Sequence, residues 1–433
     1  MTRRLLVTVA AAAFALAGAA PALASQPFKL NFKNFPLNAS DSTRNGTVLY
    51  NRTSLRLASS GLSSTTYTDP FANYASDGVD GSGTYEYGTW TSGLTTLSFP
   101  WNELVSSWNA ETPPGTWIQV EMKPTLDNGH VAKWYILGQW TYGDSDFHRT
   151  SVGHQGDADG FVAIDTFFAK DHPAISYRLR VTLFRRAGTT ATPTFTRLNA
   201  IASNYTNQKM SFPSDSTIGA EVDLGVPLYS QEIHHGDFPQ YDNGGEAWCS
   251  PTSTAMVVSY WSNLTGTNYD PTQSEYQWVL DILGENHPDP WVDYTARYVY
   301  DYHYNGAGNW PFNTAYAAGR GLVGDVTMLH NLTEAEPFIQ AGIPLVASVA
   351  WNGNKLDGAS IKSTNGHLFV IEVFTAGGRQ VIVNDPASPM DADVKHYYDR
   401  EQFERAWLPA SGGIVYVIRP DGYPTPDLTA NNS

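Results

Sequence analysis

Between residues 28 and 203 apolar and polar side chains alternate. The alternation is clearest where Ile175, Tyr177, Leu179, Val181 and Leu183 interleave with Ser176, Arg178, Arg180 and Thr182. A period of two belongs to a strand with one face in a core and the other in water. It recurs in TVLYNRTSLRLA (47–58), WIQVEM (117–122), AKWYILGQW (132–140), GFVAIDTFF (160–168) and FTRLNAIA (195–202). Turn-forming clusters such as SDGVDGSG (76–83) and TLDNG (125–129) separate these runs. Many short strands and few helical stretches predict an antiparallel, jelly-roll-like β-sandwich over residues 26–205.

The texture then changes. Residues 206–221 are polar and aperiodic, which reads as a linker. Beyond them, helical character is expected at 251–262, within 271–283 and 290–301, at 313–318, 333–341 and near 399–407. Apolar strand runs follow at 344–351, 367–374, 379–384 and 413–418. Helices first and antiparallel strands afterwards predict an α+β domain over 222–422, followed by a polar tail, 423–433.

Composition adds compartment and partners. Arg3 and Arg4, the apolar run LLVTVAAAAFALAGAA and Ala22-Leu23-Ala24 have the layout of an export signal over residues 1–24, cleaved at Ala24-Ser25. A secreted protein with no membrane association after cleavage is therefore expected. Lys and Arg total 26 against 42 Asp and Glu, a net charge of −16 that becomes −18 once Arg3 and Arg4 are removed. Such an acidic chain is a poor partner for nucleic acid or an anionic membrane. With 16% charged and 13% aromatic residues, 37 Gly and 26 Pro, it reads as a loop-rich β protein with a substantial core.

One cysteine, Cys249, stands in GGEAWCSPTSTAMVVSYW. It has no partner for a disulfide, and a free thiol is a liability outside the cell unless it has a use. Pro251 favours the first turn of a helix, which would place the thiol at the N-terminal end, where unpaired N–H groups favour a thiolate. Gly244 and Gly245 permit a sharp approach to it. The alternative is a small buried hydrophobe.

A cysteine nucleophile needs a base and a group to orient that base. Of eleven histidines, His130, His148, His154 and His172 fall in the first half, and His287, His303, His330 and His396 have nothing distinctive around them. His234 and His235, in the polar loop EIHHGDFPQ, read as solvated loop residues or at best a weak metal site. His367 opens an apolar strand after Asn365-Gly366. If 367–374 and 379–384 form a hairpin, Asp385 returns beside His367 despite a separation of 18 residues. Alone, Asp385 would read equally well as a turn residue before Pro386, and Gln231, in VPLYSQ, as a loop glutamine.

Taken in order, VPLYSQ, GGEAWCSPTSTAMVVSYW, NGHLFVIEVF and VIVNDPAS resemble the family-39-like cysteine peptidase domain of the papain superfamily, over roughly residues 222 to 420. The resemblance implies Cys249 as nucleophile, His367 as general base and acid, Asp385 as its orienting group and Gln231 as an oxyanion donor. GAGNWPFNTAYAAG (306–319) is similar to the family's cleft region, so Trp310 and Asn313, with Trp248, are expected along the substrate groove. Ser250 and Asn243 depart from the transporter-linked members, which place Gly after the cysteine and Gln six positions before it. The similarity is thus to the extracytoplasmic branch. The first half resembles the sandwich that precedes such domains in secreted bacterial proteins.

The expected protein is a secreted, monomeric cysteine peptidase with no cofactor and no metal, acting on a peptide or protein. Alternatives of the same fold are a cell-wall peptide amidase and an acyltransferase; a non-catalytic surface-binding protein is the rival from another class. Trp117, Trp134 and Trp140 could face wall peptide or glycan, although at period two most should be core. Asp157 and Asp159 in GDADG offer a loose calcium arrangement, for which a plain turn is the simpler reading.

Overall fold

The computed structural model describes residues 28–72, 78–205, 210–353 and 355–433; the expected export signal lies outside the described residues. The first half forms two seven-stranded antiparallel sheets. One is centred on Thr194–Ser203, which pairs with Glu103–Glu111 in a register running from Thr194↔Glu111 to Ser203↔Glu103. The other is centred on Ala174–Arg186, flanked by Thr116–Leu126 and Gly83–Thr91. Leu179, Val181 and Leu183 are fully buried, as their alternation requires.

Two runs expected as single strands are hairpins. In 47–58 the chain reverses between Thr47–Tyr50 and Ser54–Leu57, with Asn51 and Arg52 both at positive φ (49° and 65°). In 160–168 it reverses between Gly160–Ala163 and Thr166–Ala169, with Ile164 at φ 59°. Alternation continues through both turns, so periodicity alone cannot locate them. The tryptophans form no exposed face. Trp117 is buried and stacks on Phe184 with ring centroids 3.7 Å apart. Trp140 is buried, and Trp134 lies under the Arg180 guanidinium. In GDADG, Asp157 accepts from Tyr135 (2.6 Å) and from the Asp159 amide (3.0 Å), which is a turn.

Among the described residues the second half carries six α-helices: α1 (Cys249–Thr265), α2 (Gln273–Leu283), α3 (Pro290–Val299), α4 (Trp310–Gly319), α5 (Leu332–Gln340) and α6 (Arg400–Ser411). They accompany a seven-stranded antiparallel sheet in which Leu345–Trp351, Thr364–Phe374 and Gln380–Asn384 are adjacent. Every residue of α1 from Ser250 to Trp261 is buried, the mark of a central helix enclosed on all sides.

The halves are packed together. Phe312 of α4 meets Trp108 and Trp140 of the sandwich. Arg197 pairs with buried Asp325 (2.6 Å), and Arg297 of α3 pairs with Asp144 (2.6 Å). The described part of the expected linker, 210–221, is anchored: Glu404 accepts from the Ser214 amide (2.8 Å), and Glu336 from the Thr217 amide (2.7 Å). The chain's last residues return to the sandwich edge, where the Phe32 amide donates to Asn432 Oδ1 (2.6 Å).

Candidate active site

Cys249 is the first residue of α1, and its side chain is half-buried. Two glycines set the approach. Gly244 sits at φ 106°, and a Cβ on Gly245 would collide with the backbone of Gln231 and His234. Trp248 precedes the helix, and its indole N–H donates to the Tyr241 carbonyl (2.6 Å). One turn into α1, the Ser253 hydroxyl donates to the Leu368 carbonyl (3.1 Å). This bond fixes the helix against the strand that carries His367.

His367 belongs to Thr364–Phe374 and lies opposite Val349. On its other side, the pairing of Val370 with Asn384 places Asp385 diagonally across from it on the same face. Nε2 of His367 and Oδ1 of Asp385 are 2.7 Å apart, both side chains buried. The Tyr398 hydroxyl donates to Asp385 Oδ2 (3.0 Å), and the Ala387 amide to Oδ1 (3.0 Å). Since Nε2 is occupied, Nδ1 is the ring nitrogen left for a proton from Cys249, which lines the same cavity.

Burial alone would drive the His367 ring neutral. The Asp385 charge and hydrogen bond, with the neighbouring Cys249, outweigh it and raise the imidazole to about 10. Burial likewise disfavours the Asp385 carboxylate, and the charge and hydrogen bond of His367 hold it below its ordinary value. The pair favours an imidazolium beside a carboxylate, the form the ring takes once it has accepted a proton from a thiol, as general acid–base chemistry on sulfur needs.

Gln231 is buried next to the 3-10 turn that follows it, and its amide N–H donates to the Pro386 carbonyl (2.8 Å). Its side-chain NH₂ donates to the Glu246 carbonyl (2.7 Å) and the Glu232 carboxylate (3.1 Å). Cys249, His367 and Gln231 line one cavity of about 770 Å³. The sandwich forms its opposite wall through the Ile164 hairpin. There the Trp310 amide donates to Asp165 Oδ2 (2.8 Å) and the Thr166 hydroxyl to Oδ1 (2.8 Å). Burial raises the Asp165 carboxyl to about 7 against these bonds. Asp165, Glu232, Asp242 and Glu246 line the cavity with no Lys or Arg among the described residues.

Of the expected groove residues, Trp310 lines the cavity; Trp248 and Asn313 do not. Both are fully buried. Trp248 packs in the core, and Asn313 is consumed inside the fold, donating to Ala307 and Asn309 carbonyls (2.9 Å each) and accepting from Thr254 (3.1 Å). Tyr398 and Asp165 were not singled out from sequence. Tyr398 lies in the polar run KHYYD and Asp165 in a seemingly continuous strand, so neither carries a local signal. His234 is not a solvated loop residue: its side chain is 0% exposed.

Two protein-family models match the chain. Residues 37–203 match the peptidase C39 N-terminal domain, and residues 223–415 match the peptidase C39-like family. No curated protein matches. Among solved structures, xylellain, a cysteine protease from Xylella fastidiosa, is similar at 12% identity and a TM-score of 0.28, over 49% of this chain and 91% of its own. The CBM22-1–GH10 modules of endo-1,4-β-D-xylanase 10B from Clostridium thermocellum, complexed with xylohexaose, are similar at 9% identity and a TM-score of 0.20, over 47% and 32%. These likenesses are too slight to carry a reaction or a ligand across.

Proposed function

From its membership of the C39-like cysteine peptidases of the papain superfamily, we propose that this chain hydrolyses peptide bonds outside the cell through Cys249, His367 and Asp385. The observation that carries the reading is the meeting of thiol and imidazole in one cavity: Cys249 at a helix start and His367, whose ring is held from behind by a buried carboxylate.

His367 Nδ1 takes the proton of Cys249, and sulfur attacks the carbonyl carbon. Charge develops on the carbonyl oxygen, which is received by the Cys249 amide and by Gln231 once its side chain releases Glu232. The C–N bond breaks as His367 protonates the departing amine. Water, deprotonated by His367, then attacks the thioester and frees the acid and the thiol. Asp385 keeps the ring oriented throughout, and Tyr398 keeps Asp385 oriented.

Four carboxyl groups around the cavity and no Lys or Arg there favour peptides with cationic side chains. Export is supported by the layout of residues 1–24 and is checked by the mature N-terminus, expected at Ser25. To test the activity, the mature protein is incubated with denatured casein and, separately, with purified peptidoglycan. New amino termini from casein in wild type and none in Cys249→Ala are expected. Release from peptidoglycan alone would move the substrate to wall peptide, and release from neither would remove the peptidase reading.

A further inference from the structure

A second group of histidines and carboxylates lies outside the cavity. His234 ends the short turn after Gln231, Asp237 follows it, His287 sits between α2 and α3, and Asp293 is on the first turn of α3. One ligand-type atom from each residue lies within 4.8 Å of the other three. The four histidine-to-carboxylate separations are 3.1 Å and 3.6 Å from His234 Nδ1 to Asp293 Oδ2 and Asp237 Oδ2, and 3.0 Å and 3.4 Å from His287 Nε2 to the same two oxygens. Ligand atoms bound tetrahedrally at zinc's N and O distances sit about 3.3 Å apart, so these four edges are those of such a shell.

An ordinary ion-pair cluster does not explain the orientations. His234 and Asp293 have fully buried side chains, yet neither ring nitrogen of His234 makes a hydrogen bond, and neither do Asp237 Oδ2 and Asp293 Oδ1. Of the four approaches only His287 Nε2 to Asp293 Oδ2 has hydrogen-bond geometry. Buried polar atoms this close are normally paired, and an imidazolium would turn its N–H toward the oxygen. Atoms that share a central cation instead aim their lone pairs at it.

We propose that His234, Asp237, His287 and Asp293 bind a divalent metal of zinc's class. Two neutral imidazoles and two carboxylates balance a dication, and a mixed N₂O₂ set suits zinc better than calcium or magnesium, which prefer oxygen shells. Four protein ligands leave no open position, so the metal is structural. It would tie the segment running from Gln231 to Gly245 onto α3 and thereby fix the approach to Cys249. Asp237 and His287, each partly exposed, give the ion its path in.

The test uses the untagged full chain, equilibrated with zinc and freed of excess by gel filtration. Metal analysis should find about one equivalent, retained in Cys249→Ala and lost in His287→Ala. Cobalt in place of zinc should give the intense visible bands of a tetrahedral site. Chelator should lower the melting temperature of wild type by roughly 5 °C or more, reversed by zinc. If His287→Ala fails to fold, the cobalt spectrum and the chelator response of wild type still decide. Wild type that retains no metal, an octahedral cobalt spectrum, or retention by a folded His287→Ala would overturn the site.

Discussion

Two clusters of histidine and carboxylate flank the start of α1, and they are built differently. In one, His367 meets Asp385 Oδ1 at 2.7 Å in a true hydrogen bond and opens, with Cys249, onto a cavity. In the other, two histidines and two carboxylates converge on a point, hydrogen-bond poorly, and line no part of that cavity. A ring that must pass protons needs one fixed partner and one free face. A ring that must hold an ion needs its neighbours aimed at a common centre. Geometry therefore separates two roles that residue type alone would merge.

The largest effects that sharpen this contrast come from the thiol and its base. Cys249→Ala should abolish hydrolysis, and His367→Ala should lower kcat/KM about 10²- to 10⁴-fold, while metal content is unchanged in both. Loss of metal in either variant would break the separation. Next is Asp385→Asn, which removes a charge-assisted bond and should cost about 10- to 100-fold in rate. The same variant should move the alkaline limb of the pH–rate profile. In wild type that limb follows His367 at about 10; without the Asp385 charge it moves to lower pH.

The pair also makes stability depend on pH. His367 is raised from 6.5 to about 10, so its contribution is complete below 6.5 and is lost as pH rises through about 10. Asp385 is lowered from 3.8, so its contribution is complete above 3.8 and is lost as pH falls below that. Melting temperatures of wild type and His367→Gln should therefore differ most between these limits and converge at alkaline pH. A smaller effect belongs to Tyr398→Phe, which leaves Asp385 with one donor fewer and should reduce kcat about 2- to 10-fold with KM nearly unchanged. The smallest concerns Glu246, partly exposed on the cavity wall. Glu246→Gln should reduce preference for cationic peptides by at most about five-fold.

Legibility in the sequence followed the range of the interactions. Strands with one buried face, such as Ala174–Arg186, and helices with strong local signals, such as α1 after its Ser-Pro, are readable because their signal is local. So is the juxtaposition of His367 and Asp385, since two adjacent runs with a short connection can hardly avoid pairing. The turn at Ile164 was not readable. A β-branched residue at φ 59° is disfavoured on its own, and its surroundings must impose it. That turn is what carries Asp165 into the cavity wall. His234 and Asp293 are 59 positions apart on elements whose packing no local pattern announces, so their meeting was equally hidden. Trp248 and Asn313 failed as groove residues for the opposite reason: their neighbourhood was right, but each side chain points into the core.

The central claim, that Cys249 is activated by His367 and its carboxylate, is tested most directly by alkylating the mature protein with iodoacetamide across pH. Mass spectrometry counts the modified cysteine in wild type, His367→Ala and Asp385→Asn. The account predicts rapid alkylation of wild type at pH values as low as about 6, slower reaction in Asp385→Asn, and only an alkaline reaction in His367→Ala. Identical pH profiles in wild type and His367→Ala would contradict it.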